Sequence, residues 1–269
     1  MNKLIGIFDS GVGGLTVFDA IKRSLPSQDI IYFGDTARVP YGSKSQNIII
    51  QYSLQNTNFL IQQNIKLLIV ACNTSSAYAL DELKKHFDIP IIGVINSGAK
   101  RAVEVTKNKK IGIIGTEGTI KSGAYEKVIK KLNEYCKTFS KSTPLLVPFV
   151  EEDWIEHSAT KEVLKEYLKN LINYDIDTLI LGCTHYPVLK NVIKEVIGNN
   201  IILVDSAESV AGEVLENYSF DNSNTIKGKY QFYVSDNPEK FKVLGKRILN
   251  IDLEDINMVS FTEGWIKNR

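Results

Sequence analysis

The sequence predicts an α/β protein of two pseudo-symmetric, doubly wound domains with mostly parallel sheets and an active site in the cleft between them. Three observations carry this expectation. Apolar runs of strand length alternate with helix-patterned stretches, as buried parallel strands and their crossover helices do. The run at 65–74, ending Val70-Ala71-Cys72-Asn73-Thr74, returns 111 residues later at 176–185, ending Leu181-Gly182-Cys183-Thr184-His185. From a second direction, Ile5-Gly6-Ile7 returns as Ile111-Gly112-Ile113 at an offset of 106.

The elements follow in order. Residues 4–8 read as a first buried strand, and Asp9-Ser10-Gly11-Val12-Gly13-Gly14 as a Gly-rich turn opening a helix to about Ser24. The turn lacks Gly-x-Gly-x-x-Gly spacing, so it does not read as a dinucleotide site. Residues 29–33 form a second strand, ending in the polar loop Gly34-Asp35-Thr36-Ala37-Arg38-Val39-Pro40-Tyr41-Gly42. Such a loop suits a binding role, and equally a turn built on Pro40 and Gly42. A helix at 45–63 leads to the Cys72 strand. There Asn73, Thr74 and Ser75 are candidate caps for a helix carrying Ala77, Leu80, Leu83 and Phe87 on one side. Residues 89–95 read as a strand and 97–107 as a helix.

The second copy opens with a strand at 110–116. Thr116, Thr119 and Ser122 follow, able to meet a carboxylate or merely to cap a helix over 122–135. Residues 145–150 read as a strand delivering Glu151 and Glu152, with Glu151 the candidate site acid. Cys136 lies in a polar stretch and reads as structural or incidental. Helices are expected at 162–174 and 187–197, a strand at 201–204, a helix at 207–218, a strand at 230–235 and a helix at 237–249. The last twenty residues are weakly patterned. The first domain is expected to comprise 1–96 plus 208–269, the tail packing back on it, and the second 97–207.

Composition narrows the function. With 43% apolar residues, the 269-residue chain can build full cores. Thirty-two basic against thirty-one acidic residues give a net charge of +1. That balance points away from nucleic acid and from anionic membrane. The apolar start is too short for a signal peptide, and no run approaches the roughly 20 residues of a membrane span. Three cysteines without a pairing pattern fit a reducing cytoplasm. No metal-ligand spacing is present; a zinc site from Cys72, Cys183 and His185 is imaginable but lacks a supporting pattern.

A cysteine at the carboxyl end of a strand, facing a helix N-terminus, lies where open α/β sheets bind ligands, and its thiolate is favoured by the helix dipole. Either cysteine alone reads more readily as inert core; the matched pair reads otherwise. Thiols on opposite walls of a cleft suit removal of a proton from one face of a carbon and delivery to the other. Disulfide exchange would want Cys-x-x-Cys, and a hydrolase built on Cys183 and His185 leaves the duplication unexplained.

The segments Asp9-Ser10-Gly11-Val12-Gly13-Gly14, Gly34 to Gly42, Ala71-Cys72-Asn73-Thr74 and Gly182-Cys183-Thr184-His185-Tyr186-Pro187 resemble those of the cofactor-independent aspartate/glutamate racemases, and of glutamate racemases in particular. The resemblance implies interconversion of L- and D-glutamate, supplying D-glutamate for peptidoglycan, without cofactor or metal, in an enzyme for which dimers are common. It implies Cys72 and Cys183 as the acid/base pair, Asp9 beside the first thiol, His185 beside the second, and Glu151 as a third assistant, with Glu152 leaving the register open. Ser10, Pro40, Tyr41, Gly42, Asn73, Thr74 and Thr184, with Asp9 and His185, match the family's substrate-holding groups. The rival expectations are a racemase for aspartate, and a protein that closes on an amino acid without reacting.

Overall fold

The computed structural model describes residues 4–218, 227–250 and 252–260. The connector expected after Tyr218 and the end of the weakly patterned tail fall largely outside the described residues. The first part of the chain runs β1 (Ile5–Asp9), α1 (Leu15–Ser24), β2 (Ile30–Gly34), α2 (Gln46–Gln62), β3 (Leu67–Val70), α3 (Asn73–Tyr78), α4 (Leu80–His86) and β4 (Ile91–Gly93). The second runs α5 (Val94–Val105), β5 (Lys110–Gly115), α6 (Glu117–Ser122), α7 (Ala124–Leu132), β6 (Lys137–Ser142), α8 (Leu146–Glu151) and α9 (Ser158–Asn173). It continues through β7 (Thr178–Gly182), a 3₁₀ turn (Tyr186–Leu189), α10 (Lys190–Ile197) and β8 (Ile202–Asp205). The remainder is α11 (Ser206–Asn217), β9 (Tyr230–Val234), α12 (Pro238–Leu249) and β10 (Ile256–Met258).

Two parallel sheets result, in the orders β10-β9-β2-β1-β3-β4 and β6-β5-β7-β8. The run β2-β1-β3-β4 is repeated by β6-β5-β7-β8, which is the pseudo-symmetry the sequence repeat implies. The central strands β1, β3, β5 and β7 are almost wholly buried. Helices cover both faces of each sheet, which is why these strands read as continuous apolar runs rather than alternating ones. Full burial of each Ile, Leu, Val or Phe here contributes about 1.5–3 kcal/mol.

Register sets the site. Phe8 lies opposite Val70, so Asp9 and the Ala71-Cys72 step emerge from neighbouring strand ends. Gly115 lies opposite Gly182, so Thr116 and Cys183 emerge likewise from the second sheet. The chain crosses between sheets at Gly93–Val94 and returns at Asp205–Ser206. There α5 packs into the second core through Ile95, Ala99 and Ala102, and α11 into the first through Ala207, Val210, Ala211 and Val214.

The structure corrects three expectations. The strand expected at 145–150 is instead the helix Leu146–Glu151, capped by Leu145. The polar stretch 137–142, left unassigned in sequence, takes the edge position beside β5, and the chain then leaves the sheet. Leu146, Val147 and Val150 fall on one face of α8 and are buried, while Pro148 stands in the first turn, where its missing N–H costs no hydrogen bond. The strand expected at 89–95 stops at Gly93, which caps α5. The cap of α3 is Cys72 itself, whose Sγ accepts from the Ser75 amide at 3.5 Å.

The tail strands β9 and β10 extend the first sheet beyond β2, and α12 lays Phe241, Leu244 and Leu249 into the same core. The Phe241 and Tyr32 ring centroids are 5.8 Å apart. Phe241→Ala is expected to cost about 3–5 kcal/mol in urea unfolding. A loss under about 1 kcal/mol would mean that α12 does not share the core of the first sheet.

Candidate active site

The glycine-rich turn after β1 wraps around the side chain of Asp9. Its Oδ2 accepts from the amides of Gly11 and Gly14 at 3.0 and 3.1 Å, and Oδ1 accepts from the Thr184 hydroxyl, from the other half of the molecule, at 3.3 Å. Burial pushes this carboxyl above its ordinary value, an effect opposed by the charge of His185 and by those three donors. Gly13 is a glycine because the second half comes so near: a Cβ there would stand 2.5 Å from both His185 Nδ1 and Thr184 Oγ1. Gly42 is in the same position against Thr116, whose Cβ would be 2.4 Å away.

Ser10, Pro40, Tyr41, Gly42, Asn73, Thr74, Thr184 and His185 line one cleft together with Cys72 and Cys183, around about 330 Å³ free of protein atoms. Val39, Thr116 and Val147 complete the lining. Of these, Thr116 was singled out in sequence only as a hydroxyl that either caps a helix or meets a carboxylate. It caps α6, and its hydroxyl also meets that of Thr74 at 2.9 Å across the cleft. Val39 and Val147 carried no signal beyond their position beside Pro40 and before Glu151.

The two thiols have unlike surroundings. Burial, reinforced by the nearby Asp9 charge, pushes the Cys72 thiol up to about 12, and hydrogen bonds from Ser75 and Ser10 only partly offset this. The helix dipole invoked from sequence is therefore outweighed, because removing the sulfur from water disfavours its charged form more strongly. Cys183 lies at 3.9 Å from His185 Nδ1, and His185 Nε2 lies at 3.3 Å from Glu151 Oε1. Burial works against a charged imidazole, but hydrogen bonding to Cys183 and Glu151, together with their charges, outweighs it and raises His185 to about 10.

Glu151 is not among the residues around the two thiols; it stands behind His185 at the end of α8 and lines the adjoining mouth of the cleft. Burial opposes its ionisation, yet hydrogen bonding to His185 and the charges of His185 and Lys240 hold it below the ordinary range. Of the two adjacent acids, the Glu151 side chain is 18% exposed and faces His185, whereas that of Glu152 is 71% exposed.

Tyr41 contributes differently from what its residue type suggests. Its hydroxyl is bound to Asp35 and accepts from Asn56 Nδ2 at 3.0 Å, so it is turned into a buried network. Arg38 Nε meets both Asp35 oxygens at 2.9 and 2.7 Å, Arg38 Nη2 meets Asn56 at 2.9 Å, and Ser235 donates to Asp35 at 2.9 Å. This network, which fixes the loop carrying Pro40 and Gly42, had no sequence signature. On the facing wall, Tyr125 OH donates to Asn73 Oδ1 at 2.7 Å, and Asn73 Nδ2 has no partner among the described residues. An unpaired buried amide N–H₂ costs about 1–3 kcal/mol, and a carboxylate oxygen in the cleft would satisfy it.

Among the described residues no group of three His, Cys, Asp or Glu is placed to hold a metal ion, and no helix is long and apolar enough to cross a membrane.

Residues 5–214 match the Asp/Glu/Hydantoin racemase family. The chain belongs to this family. A glutamate racemase of Geobacter metallireducens is 48% identical over 96% of this chain and 97% of its own length. A glutamate racemase of Bacillus anthracis superposes with a TM-score of 0.91 at 40% identity, over 96% of this chain and 97% of that one. The glutamate racemase of Francisella tularensis, solved in complex with D-glutamate, gives 0.88 at 39% identity, over 96% of this chain and 98% of that one. The protein is thus a racemase by family, with a sulfur from each half lining its cleft.

The raised pKa of His185 links the site to stability. Its folded value of about 10 lies above the ordinary 6.5, so its contribution is complete below about pH 6.5 and is lost as pH rises through about 10. Unfolding measured across that window should show declining stability, with a shallower decline in His185→Gln. Equal slopes would contradict the charged ring.

Proposed function

We propose that the protein is a glutamate racemase, interconverting L- and D-glutamate by proton transfer between Cα and two cysteines, and that the D-glutamate serves peptidoglycan synthesis. The observation that carries this reading is a cleft with one thiol beside a carboxylate and the other beside an imidazole backed by a second carboxylate. The names of the relatives at 40–48% identity supply the substrate, and the resemblance noted in the sequence supplies the place in cell-wall synthesis.

In the resting site burial and the nearby Asp9 charge keep Cys72 protonated, and Cys183 Sγ stands beside His185, which Glu151 backs. Cys183 Sγ takes the Cα proton from one face as the C–H bond breaks, while Cys72 Sγ–H gives its proton to the opposite face. The sulfurs then stand in exchanged protonation states, ready for the other enantiomer. The Cα proton of an amino acid is very weakly acidic, so the developing carbanion needs donors arranged beforehand in a site with little water. Asn73 Nδ2 and the backbone amides opening α3 are suited to the α-carboxylate. Asp9 and Ser10 are suited to the ammonium, and Thr74, Thr184 and the backbone of Pro40, Tyr41 and Gly42 to the remaining polar atoms of the substrate. No cofactor enters, since side chains both remove and return the proton. Closure of two bodies, 1–96 plus 208–269 over 97–207, would exclude water, and a homodimer is compatible with this reading.

Circular dichroism with L- and D-glutamate in deuterated buffer tests the proposal. Signal should decay from either enantiomer with deuterium entering at Cα, and Cys72→Ser and Cys183→Ser should each lower the rate by about 10²–10⁴-fold. Full activity in both variants would overturn the two-cysteine mechanism. Turnover of aspartate alone would move the substrate by one methylene, a change that pocket contacts discriminate by only about 1–3 kcal/mol.

A further inference from the structure

The cluster around Glu151 includes a cation that the reaction as described does not use. Lys240, in the first turns of α12, places Nζ 3.7 Å from Glu151 Oε2 and 3.6 Å from Glu152 Oε1. Glu151 presents its other oxygen to His185 Nε2, and His185 Nδ1 faces Cys183. A line of polar contacts therefore runs from the surface of α12 through Glu151 and His185 to the buried sulfur. Helix α12 lies beyond residue 214, where the family match ends, and its apolar face is anchored in the core of the first sheet. Glu151 closes α8, which packs on the second sheet. A second bridge, Arg247 to Asp153 at 3.0 Å, joins the same two segments without reaching His185.

We propose that Lys240 is a positioning residue for the Cys183 side of the reaction: its ammonium bridges Glu151 and Glu152 and fixes the Glu151 carboxylate against His185 from across the cleft. The inference rests on the racemase mechanism above and on Glu151 as the partner of His185. Every charged neighbour of Glu151 bears on the outcome. His185 lies on one side and Lys240 on the other, Glu152 is adjacent in sequence, and Glu117 lines the same mouth of the cleft. Behind His185 stand Cys183 and Asp9. The bridge is partly exposed, with Lys240 46% accessible, so its influence on rate is modest. Its more specific mark is on pH dependence, because a cation beside a carboxylate keeps the carboxylate charged to lower pH.

The test compares wild type, K240A, K240R, R247A, E151Q and the K240A/E151Q double variant, reading kcat/KM for both glutamate enantiomers against pH. K240A should lose about two- to fivefold, with the acid limb of its profile, where Glu151 takes up a proton, displaced to higher pH. K240R should restore both. R247A should leave the acid limb in place, since Asp153 does not face His185, and K240A should cost nothing further once Glu151 is replaced by E151Q. A K240A profile that superposes on wild type overturns the inference, as does an equal loss from K240A in both backgrounds. An R247A variant that reproduces the K240A shift would reduce the contact to a clamp between α12 and the 151–153 turn. An active wild type with an unimpaired E151Q overturns this inference alone, whereas a wild type silent on glutamate overturns the racemase reading with it.

Discussion

The site depends on one buried carboxylate. Asp9 is fully buried at the end of the strand that sits between β2 and β3, where an uncompensated charge would not be tolerated. The two amides of the glycine-rich turn and the hydroxyl of Thr184 offset that burial, and in doing so they shape the turn and tie the two halves together at the floor of the cleft. The same charge acts on both walls: it adds to the effect of burial in raising Cys72, and it is itself drawn down by the charge of His185. An Asn at this position would keep some hydrogen bonds yet remove the field, leaving the thiols in more nearly equal settings.

Unequal settings are what the proposed two-base reaction would require. If both sulfurs rested in the same protonation state, the cleft would lack either the acceptor or the donor for the first proton transfer. The backbone repeats faithfully, with Cys72 and Cys183 following equivalent strands of the two sheets. The difference arises from what stands next to each: β1 ends in a carboxylate, while β5 ends in Gly115 followed by Thr116. Duplication thus supplies two thiols in matched positions, and divergence at a few strand ends gives them different neighbours.

Much of this was legible in the chain itself, and the exceptions are physically coherent. Strands buried on both faces announce themselves as apolar runs, so the positions of Cys72 and Cys183 could be read directly. The edge strand Lys137–Ser142 could not, because it is largely exposed and carries Lys137 and Lys141, as edges that resist further pairing do. The six-residue helix α8 was mistaken for a strand because a short apolar run has no period long enough to decide the matter. The Asp35, Arg38, Tyr41 and Asn56 network was invisible for a different reason. Each residue is ordinary in its local context, and only the packing of α2 beside the loop makes them neighbours.

The tail shows most plainly how non-local contacts complete the site. Among the described residues the second sheet has no counterpart of β9 and β10, so this addition is what breaks the symmetry of the fold. It extends the first sheet at the edge next to β2 and brings Ser235 onto Asp35 and the Asp236 carbonyl onto Thr36, bracing the loop that carries Pro40 and Gly42. Its helix then carries Lys240 to Glu151. One C-terminal segment therefore supports a cleft-lining loop on one wall and the partner of His185 on the other. A long polar loop and a short helix, neither able to hold a fixed geometry alone, are in this way held in place, as the proposed proton transfer at carbon would need.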